Sequence, residues 1–384
     1  MRCKASFWAI CLLAARPFPA QESVLFQSGD LGYDCFRIPA LVQWDAGELF
    51  AFAEGRRGGC ADFGNVDILM RHSNDGGATW SPAQVVVDNG DLQAGNATPV
   101  VDRMDPAHPA GRLLLFYNTG TASEYDTRMG LGRRRGFMTA STDRGATWST
   151  PVDLSPQVHM DRHSARPEVD ARTLAFAPGH ALQLQRGPHT GRLFVPANHS
   201  LGPPQEDFRD YQTYGAYSDD HGATWRISAD LGVPSSNEAM AAELDDGTLL
   251  LLVRMQNATD RLKRLARSSD GGATWDTTWM AAALTTPVCQ SALIHDAVRS
   301  TTWHLGPADT ATRSQLTLWS SDNGGLHWTR HSVPWPESAA YSDMVLLHHP
   351  ATDESSRDRK PSTLGVLYER NDYAEIVFDL LKVE

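Results

Sequence analysis

Apolar side chains along this chain gather in short runs, with no helical period sustained between them. Residues 113–117 (LLLFY), 192–196 (RLFVP), 248–253 (TLLLLV) and 365–368 (GVLY) are β-rich stretches flanked by turn formers such as Asp246-Gly247 and His189-Thr190-Gly191. Runs of this length, bounded by turn residues, predict short strands.

Between the runs an eight-residue pattern, S-x-D-x-G-x-T-W, recurs at residues 73–80, 141–148, 218–225 and 268–275. A degenerate copy at 321–328 has Asn323 for Asp and His327 for Thr. Its chemistry is that of a hairpin turn: Asp accepts backbone N–H groups, Gly adopts positive φ, and Thr-Trp is expected to open the next strand with a buried indole. The third-position residues stand 68, 77, 50 and 53 apart, room for a four-stranded sheet per copy. Repetition of that kind predicts an all-β propeller. No Ser- or Gly-rich linker interrupts the chain, so one domain over residues 21–384 is expected.

Composition narrows the function. The first twenty residues run from Arg2 and Lys4 through an apolar stretch to Ala20, which predicts a cleavable secretory leader and an extracytoplasmic protein, periplasmic, secreted or lysosomal. The stretch is too short to span a bilayer, which takes about 20 apolar residues. Removing the leader leaves 31 basic against 46 acidic residues, a formal charge of −15; that argues against nucleic-acid binding. Cys35, Cys60 and Cys289 remain, without metal-ligand spacing, and a Cys35–Cys60 disulfide is one possibility. Asn96, Asn198 and Asn257 open glycosylation sequons, with Asn198 and Asn257 the better candidates for exposed loops.

The repeats, together with Phe36-Arg37-Ile38-Pro39, AFAEGRR (51–57), NEAMAAELDDG (237–247), AYSD (340–343) and VLYE (366–369), resemble the sialidase superfamily over nearly the whole mature chain. The resemblance implies a six-bladed propeller, five blades marked by the box and one without, that removes terminal sialic acid from glycans as a monomer and needs no metal or organic cofactor. Boxes alone would not imply the activity, since propellers that only bind partners also carry them.

A sugar with a carboxylate on its anomeric carbon calls for permanently charged bidentate donors. By motif these are Arg37, Arg254 and Arg313, with Glu369 as the anionic partner that orients Arg37. Arg56 is placed near the sugar ring, with pairing to Glu54 as the other reading. The family's nucleophile is a tyrosine, an exception to the two-carboxylate rule, and Tyr341 matches it: a neutral phenol approaches the anionic centre where a carboxylate would be repelled. The matching base is Glu238, with Glu243 as competitor, and the arginines' field is expected to help ionise the phenol. The acid matches Asp62 on a loop, with Asp67 as rival. Transfer of the sugar to another acceptor, and a non-catalytic binding propeller, are the alternative functions.

Overall fold

The structure, a computed structural model, describes residues 22–160, 169–257, 259–347 and 362–383. The expected leader lies outside them. The regular structure of the described chain is almost all strand, with two short α-helices at Glu124–Arg128 and Ser155–Val158.

Pairing gathers the described strands into four sheets, which follow one another along the chain as six antiparallel units of four strands, the third having its innermost strand in two pieces, Ala175–Phe176 and Leu182–Gln183. The first unit comprises Cys35–Gln43, Leu49–Arg56, Val66–Ser73 and Gln84–Val87; the fourth comprises Ser236–Glu243, Leu249–Met255, Leu262–Ser268 and Thr277–Thr285. One long strand, Thr329–Leu347, serves two units: its first half pairs with Ser314–Ser321 and its second with Ser362–Arg370. The sixth unit is completed by Ser23–Gln27, which pairs with Glu375–Val383 and so joins the two ends of the chain.

The apolar runs explain how the units assemble. Leu249, Leu251 and Val253 pack with Phe194 of the third unit, while their neighbours Leu250 and Leu252 pack with Leu293 and Trp328 of the fifth. Alternate side chains of one strand thus enter two different interfaces, which is why TLLLLV is apolar at every position. Four more clusters of this kind join consecutive units, and one of them, with Phe26 and Phe378 against Phe36 and Leu41, returns from the sixth unit to the first. The ring is therefore closed, as the sequence reading expected.

Each box occupies the turn between the third and fourth strands of a unit. In the first, Asp75 accepts from the Thr79 amide at 2.8 Å and the Thr79 hydroxyl at 2.6 Å, while the Gly77 amide donates to the Ser73 hydroxyl at 2.9 Å. Asn323 reproduces the amide bond, from His327, at 2.9 Å. The indoles correct the expectation in part. Trp225 and Trp328 are buried, but Trp80, Trp148 and Trp275 are half-exposed, and the Trp precedes the strand in each copy. In the sixth unit the third and fourth strands, Glu375–Val383 and Ser23–Gln27, are not consecutive in sequence, so no hairpin turn of the box kind links them.

Deep in the molecule His180 pairs with the buried Asp343 at 2.7 Å, and Asp343 also accepts the Leu41 amide at 2.8 Å. Burial opposes the imidazolium, but Asp343 outweighs it and raises the pKa of His180 above 6.5. A raised folded-state pKa gives stability that is complete below the unfolded value and lost as pH rises through the folded one. Thermal denaturation at about pH 5 and about pH 9 should therefore show a larger fall in Tm for the native chain than for His180→Gln; equal falls would refute this reading of the pair.

Candidate active site

The innermost strand of a unit supplies the site, and it does so where strand pairing breaks. Register is interrupted between Arg37 and Ala40, between Gly95 and Thr98, between Ser236 and Ala239, and between Ala339 and Ser342. Arg37, Asn96, Glu238 and Tyr341 lie within or at the edge of those interruptions. A bulge re-aims a side chain out of the sheet's alternation, and here four bulges turn side chains into one place. Ile38 has φ 60°, a costly conformation for a β-branched residue. Its amide is held by Glu369 at 2.8 Å, and the same carboxylate accepts the Tyr341 amide at 3.1 Å. Glu54 does the same for Asn96, φ 56°, at 2.7 Å.

Tyr341 is the hub. Its hydroxyl donates to Glu238, with oxygens at 2.7 and 2.9 Å, and accepts from Arg254 Nη1 at 2.6 Å. Arg254 also bonds Glu238 at 2.6 Å. The Arg37 and Arg313 guanidinium carbons lie 5.2 and 5.6 Å from the Tyr341 ring centre. Three arginines spread between positions 37 and 313 of the sequence thus converge on one phenol. Burial pushes the Tyr341 pKa well above 10; Arg254 and Arg313 pull it down while Glu238 pushes it up. The arginines thus favour the ionised phenol, but burial outweighs them. The group is a neutral donor with its acceptor already in place.

Arg37 is buried, and so is Glu369, which accepts from its Nε at 2.7 Å. An unpaired buried guanidinium would cost several kcal/mol, so this partner is obligatory. Burial disfavours the charge, yet Glu369 overcompensates and holds Arg37 firmly protonated. Arg56 pairs with Glu54, one of the two readings given for it: Nη2 and Nε bond Glu54 at 2.6 and 2.9 Å, and Nη1 bonds Asp62 at 2.7 Å. The Asp62 side chain is 77% exposed and lies 4.0 Å from Arg37. Lost hydration works against its ionisation, but Arg56, then Arg37 and Arg134, hold the carboxyl below its usual range.

The competitors sit elsewhere. Glu243 caps the amides of Gln185 and Arg186 at 2.8 and 2.9 Å, and Asp67 is buried beneath the Tyr33 hydroxyl and Arg57. Arg56, Asp62, Glu238, Arg254 and Tyr341 instead share a cavity of about 170 Å³ that opens to solvent. Asn198 lines it too and is 2% exposed, so the expectation of a glycan there is corrected: the residue faces a cavity between strands, not an open loop. Asn96 also lines the cavity, with its amide nitrogen bonded to the Phe176 carbonyl at 2.9 Å.

The sequence reading missed Tyr373. Its ring lies 4.1 Å from the Arg37 guanidinium carbon and its hydroxyl accepts from Arg313 at 3.1 Å, in a turn where Asn371, Asp372 and Tyr373 all have positive φ. One side chain thus spaces two arginines. Tyr373→Ala should raise KM for an anionic substrate about tenfold with little change in kcat, and Tyr373→Phe, which keeps the stacked ring, should recover most of it. An equal loss in Phe and Ala would assign the effect to the hydroxyl alone. Lys263 was missed as well. It is buried, donates to the Cys289 carbonyl at 2.5 Å, and burial lowers its pKa to about 8. A lysine in the mixed strand Leu262–Ser268, beside Arg264 and Arg267, carries no motif that sequence reading could use.

Comparison with known proteins settles the family. Residues 47–352 match the model of the BNR repeat-like domain. This chain belongs to that family. The BNR-repeat chain is 30% identical to a sialidase of Micromonospora viridifaciens over 93% of its own length and 54% of the relative's. It is 27% identical to Sialidase-2 of Cricetulus griseus, covering 93% of itself and 94% of that protein. It spans about half the length of several of these relatives, an exo-alpha-sialidase of Aspergillus fumigatus among them. In fold it matches the Hadza microbial sialidase with a TM-score of 0.75 at 22% identity, over 92% of this chain and 67% of that one. A leech intramolecular trans-sialidase gives 0.71 at 18%, over 95% and 70%. These solved structures make the fold a β-propeller. Among the described residues no helix is long and apolar enough to cross a membrane, and no group of three His, Cys, Asp or Glu is arranged to hold a metal.

Proposed function

We propose that this chain is an exo-sialidase that hydrolyses terminal sialic acid from glycans with retention, Tyr341 acting as the nucleophile. The observation that carries the reading is the Tyr341 hydroxyl held between Glu238 and Arg254 within reach of two further arginines. A binding module has no use for a buried phenol aimed at a carboxylate base.

In the mechanism, Arg37, Arg254 and Arg313 bind the sugar's carboxylate, and Arg56 stands beside the ring. The Tyr341 oxygen attacks the anomeric carbon as its proton passes to Glu238. The glycosidic bond breaks and the departing oxygen takes a proton from Asp62. Water then attacks the tyrosyl intermediate and gives a proton to Asp62, while Glu238 returns one to Tyr341. The chain's net negative charge repels an anionic substrate at long range, so capture rests on the arginines focused in the cleft. Asp62 is ionised by its arginine partners in the empty site. A substrate carboxylate that takes up Arg37 reduces that attraction and lets Asp62 hold a proton.

The structural neighbours include intramolecular trans-sialidases, and a tyrosyl intermediate can be captured by a hydroxyl other than water. Incubation of the chain with sialyllactose, with and without added lactose, separates the outcomes by product. Free sialic acid is expected. An anhydro sugar or a transferred product would replace hydrolysis by transfer, and no product at all would overturn the enzyme reading.

A further inference from the structure

Asp62 stands on a loop, residues 57–65, with little structure of its own. Gly58, Gly59 and Gly64 all have positive φ, and a Cβ at any of them would meet nothing within 4 Å. The loop is therefore a glycine-hinged excursion surrounded by open space, while general acid catalysis needs its proton donor within hydrogen-bond reach.

Two contacts fasten the tip. Cys60 is joined to Cys35 by a disulfide with Cα atoms 5.2 Å apart, and the Cys60 carbonyl accepts from Arg56 Nη1 at 2.6 Å. The positions matter. Cys35 is wholly buried in the innermost strand two residues before Arg37, and Cys60 is two residues before Asp62. The bridge thus ties the strand that carries a carboxylate-binding arginine to the loop that carries the acid. Arg56 Nη1 bonds the Cys60 carbonyl and the Asp62 carboxylate together, which extends the tether to the acid itself.

We propose that the Cys35–Cys60 disulfide is a positioning device for Asp62, setting how well the chain cleaves sialosides whose leaving group needs protonation. The proposal rests on the sialidase reading above. The attraction of Asp62 to Arg37 weakens when a substrate carboxylate takes up Arg37, and the acid then rests on Arg56 and on the bridge beside it. At that moment the covalent bridge is what keeps the tip of the loop over the strand of Arg37. A bridge that served folding alone would have no reason to affect one class of substrate more than another.

The test compares the native chain with C35A/C60A on two sialosides, one with a 4-methylumbelliferyl aglycone, an acidic phenol that departs without help, and one with lactose, which does not. The value of kcat/KM for sialyllactose should fall at least about tenfold, and that for the aryl sialoside by less than about twofold. Equal falls, or no fall, would overturn the proposal. A second measurement does not depend on activity or on the variant folding. Trypsin cleavage after Arg57 should be at least about tenfold faster when the native chain is treated with a dithiol reductant; an unchanged rate would show that the bridge does not hold the loop. A native chain inactive on both sialosides would remove the sialidase reading, and the proteolysis would still decide whether Cys35–Cys60 is the tether.

Discussion

Tyr341→Phe should lower kcat/KM for an aryl sialoside by roughly three orders of magnitude or more while leaving the fold and Ki for a competitive inhibitor almost unchanged. The removed atom makes three contacts in the site, two to Glu238 and one to Arg254, and none in the strand ladder, where pairing is already interrupted. The ring remains, so the apolar contacts of Ile38, Cys289 and Ala340 remain. Glu238 and Arg254 still neutralise each other at 2.6 Å, which spares the variant an unpaired buried charge. Near-native kinetics would mean that the phenol is a bystander. Steady-state kinetics beside a thermal melt separate lost chemistry from lost structure.

The second large effect belongs to Arg254. Unlike Arg313, which contacts the Tyr373 hydroxyl and the Val288 carbonyl, Arg254 touches both members of the catalytic pair. Arg254→Ala removes a buried charge that Glu238 depends on, and such truncations cost about 2–5 kcal/mol. The expected result is a fall in kcat/KM of roughly 10²- to 10³-fold, shared between kcat and KM, whereas Arg313→Ala should act almost entirely on KM. The distinction follows from the phenol. Its pKa is raised by burial, with Arg254 the largest opposing influence, so without Arg254 the nucleophile is harder to ionise as well as the substrate harder to hold. If both variants changed KM alone, Arg254 would have no part in activating Tyr341.

The legible part of the fold was what repeats. The boxes marked the third-to-fourth turns because their hydrogen bonds are local, within eight residues, and local chemistry leaves a short signature. The unbroken apolar runs were legible for the same reason: one strand feeding two interfaces has no polar face to show. What escaped was non-local. The carboxylates of Glu54 and Glu369 hold bulged backbone at Asn96, Ile38 and Tyr341, and nothing near either glutamate in sequence announces a bulge some 30 to 330 residues away. Tyr373 spaces two arginines from a strained turn that reads as ordinary loop. The indoles of Trp80, Trp148 and Trp275 were placed too deep because each covers the rim of the interface with the preceding unit. Asn198 was placed on a loop because a sequon says nothing about burial.

The central claim is that sugar is transferred to Tyr341. It is tested most directly by quenching the chain after incubation with 2,3-difluorosialic acid, the compound seen as a covalent intermediate in a structurally similar sialidase, and locating the adduct by peptide mass spectrometry. The account predicts a sialyl adduct on the peptide bearing Tyr341 and none in Tyr341→Phe. Turnover of an aryl sialoside by a chain that carries its adduct on another residue would contradict it.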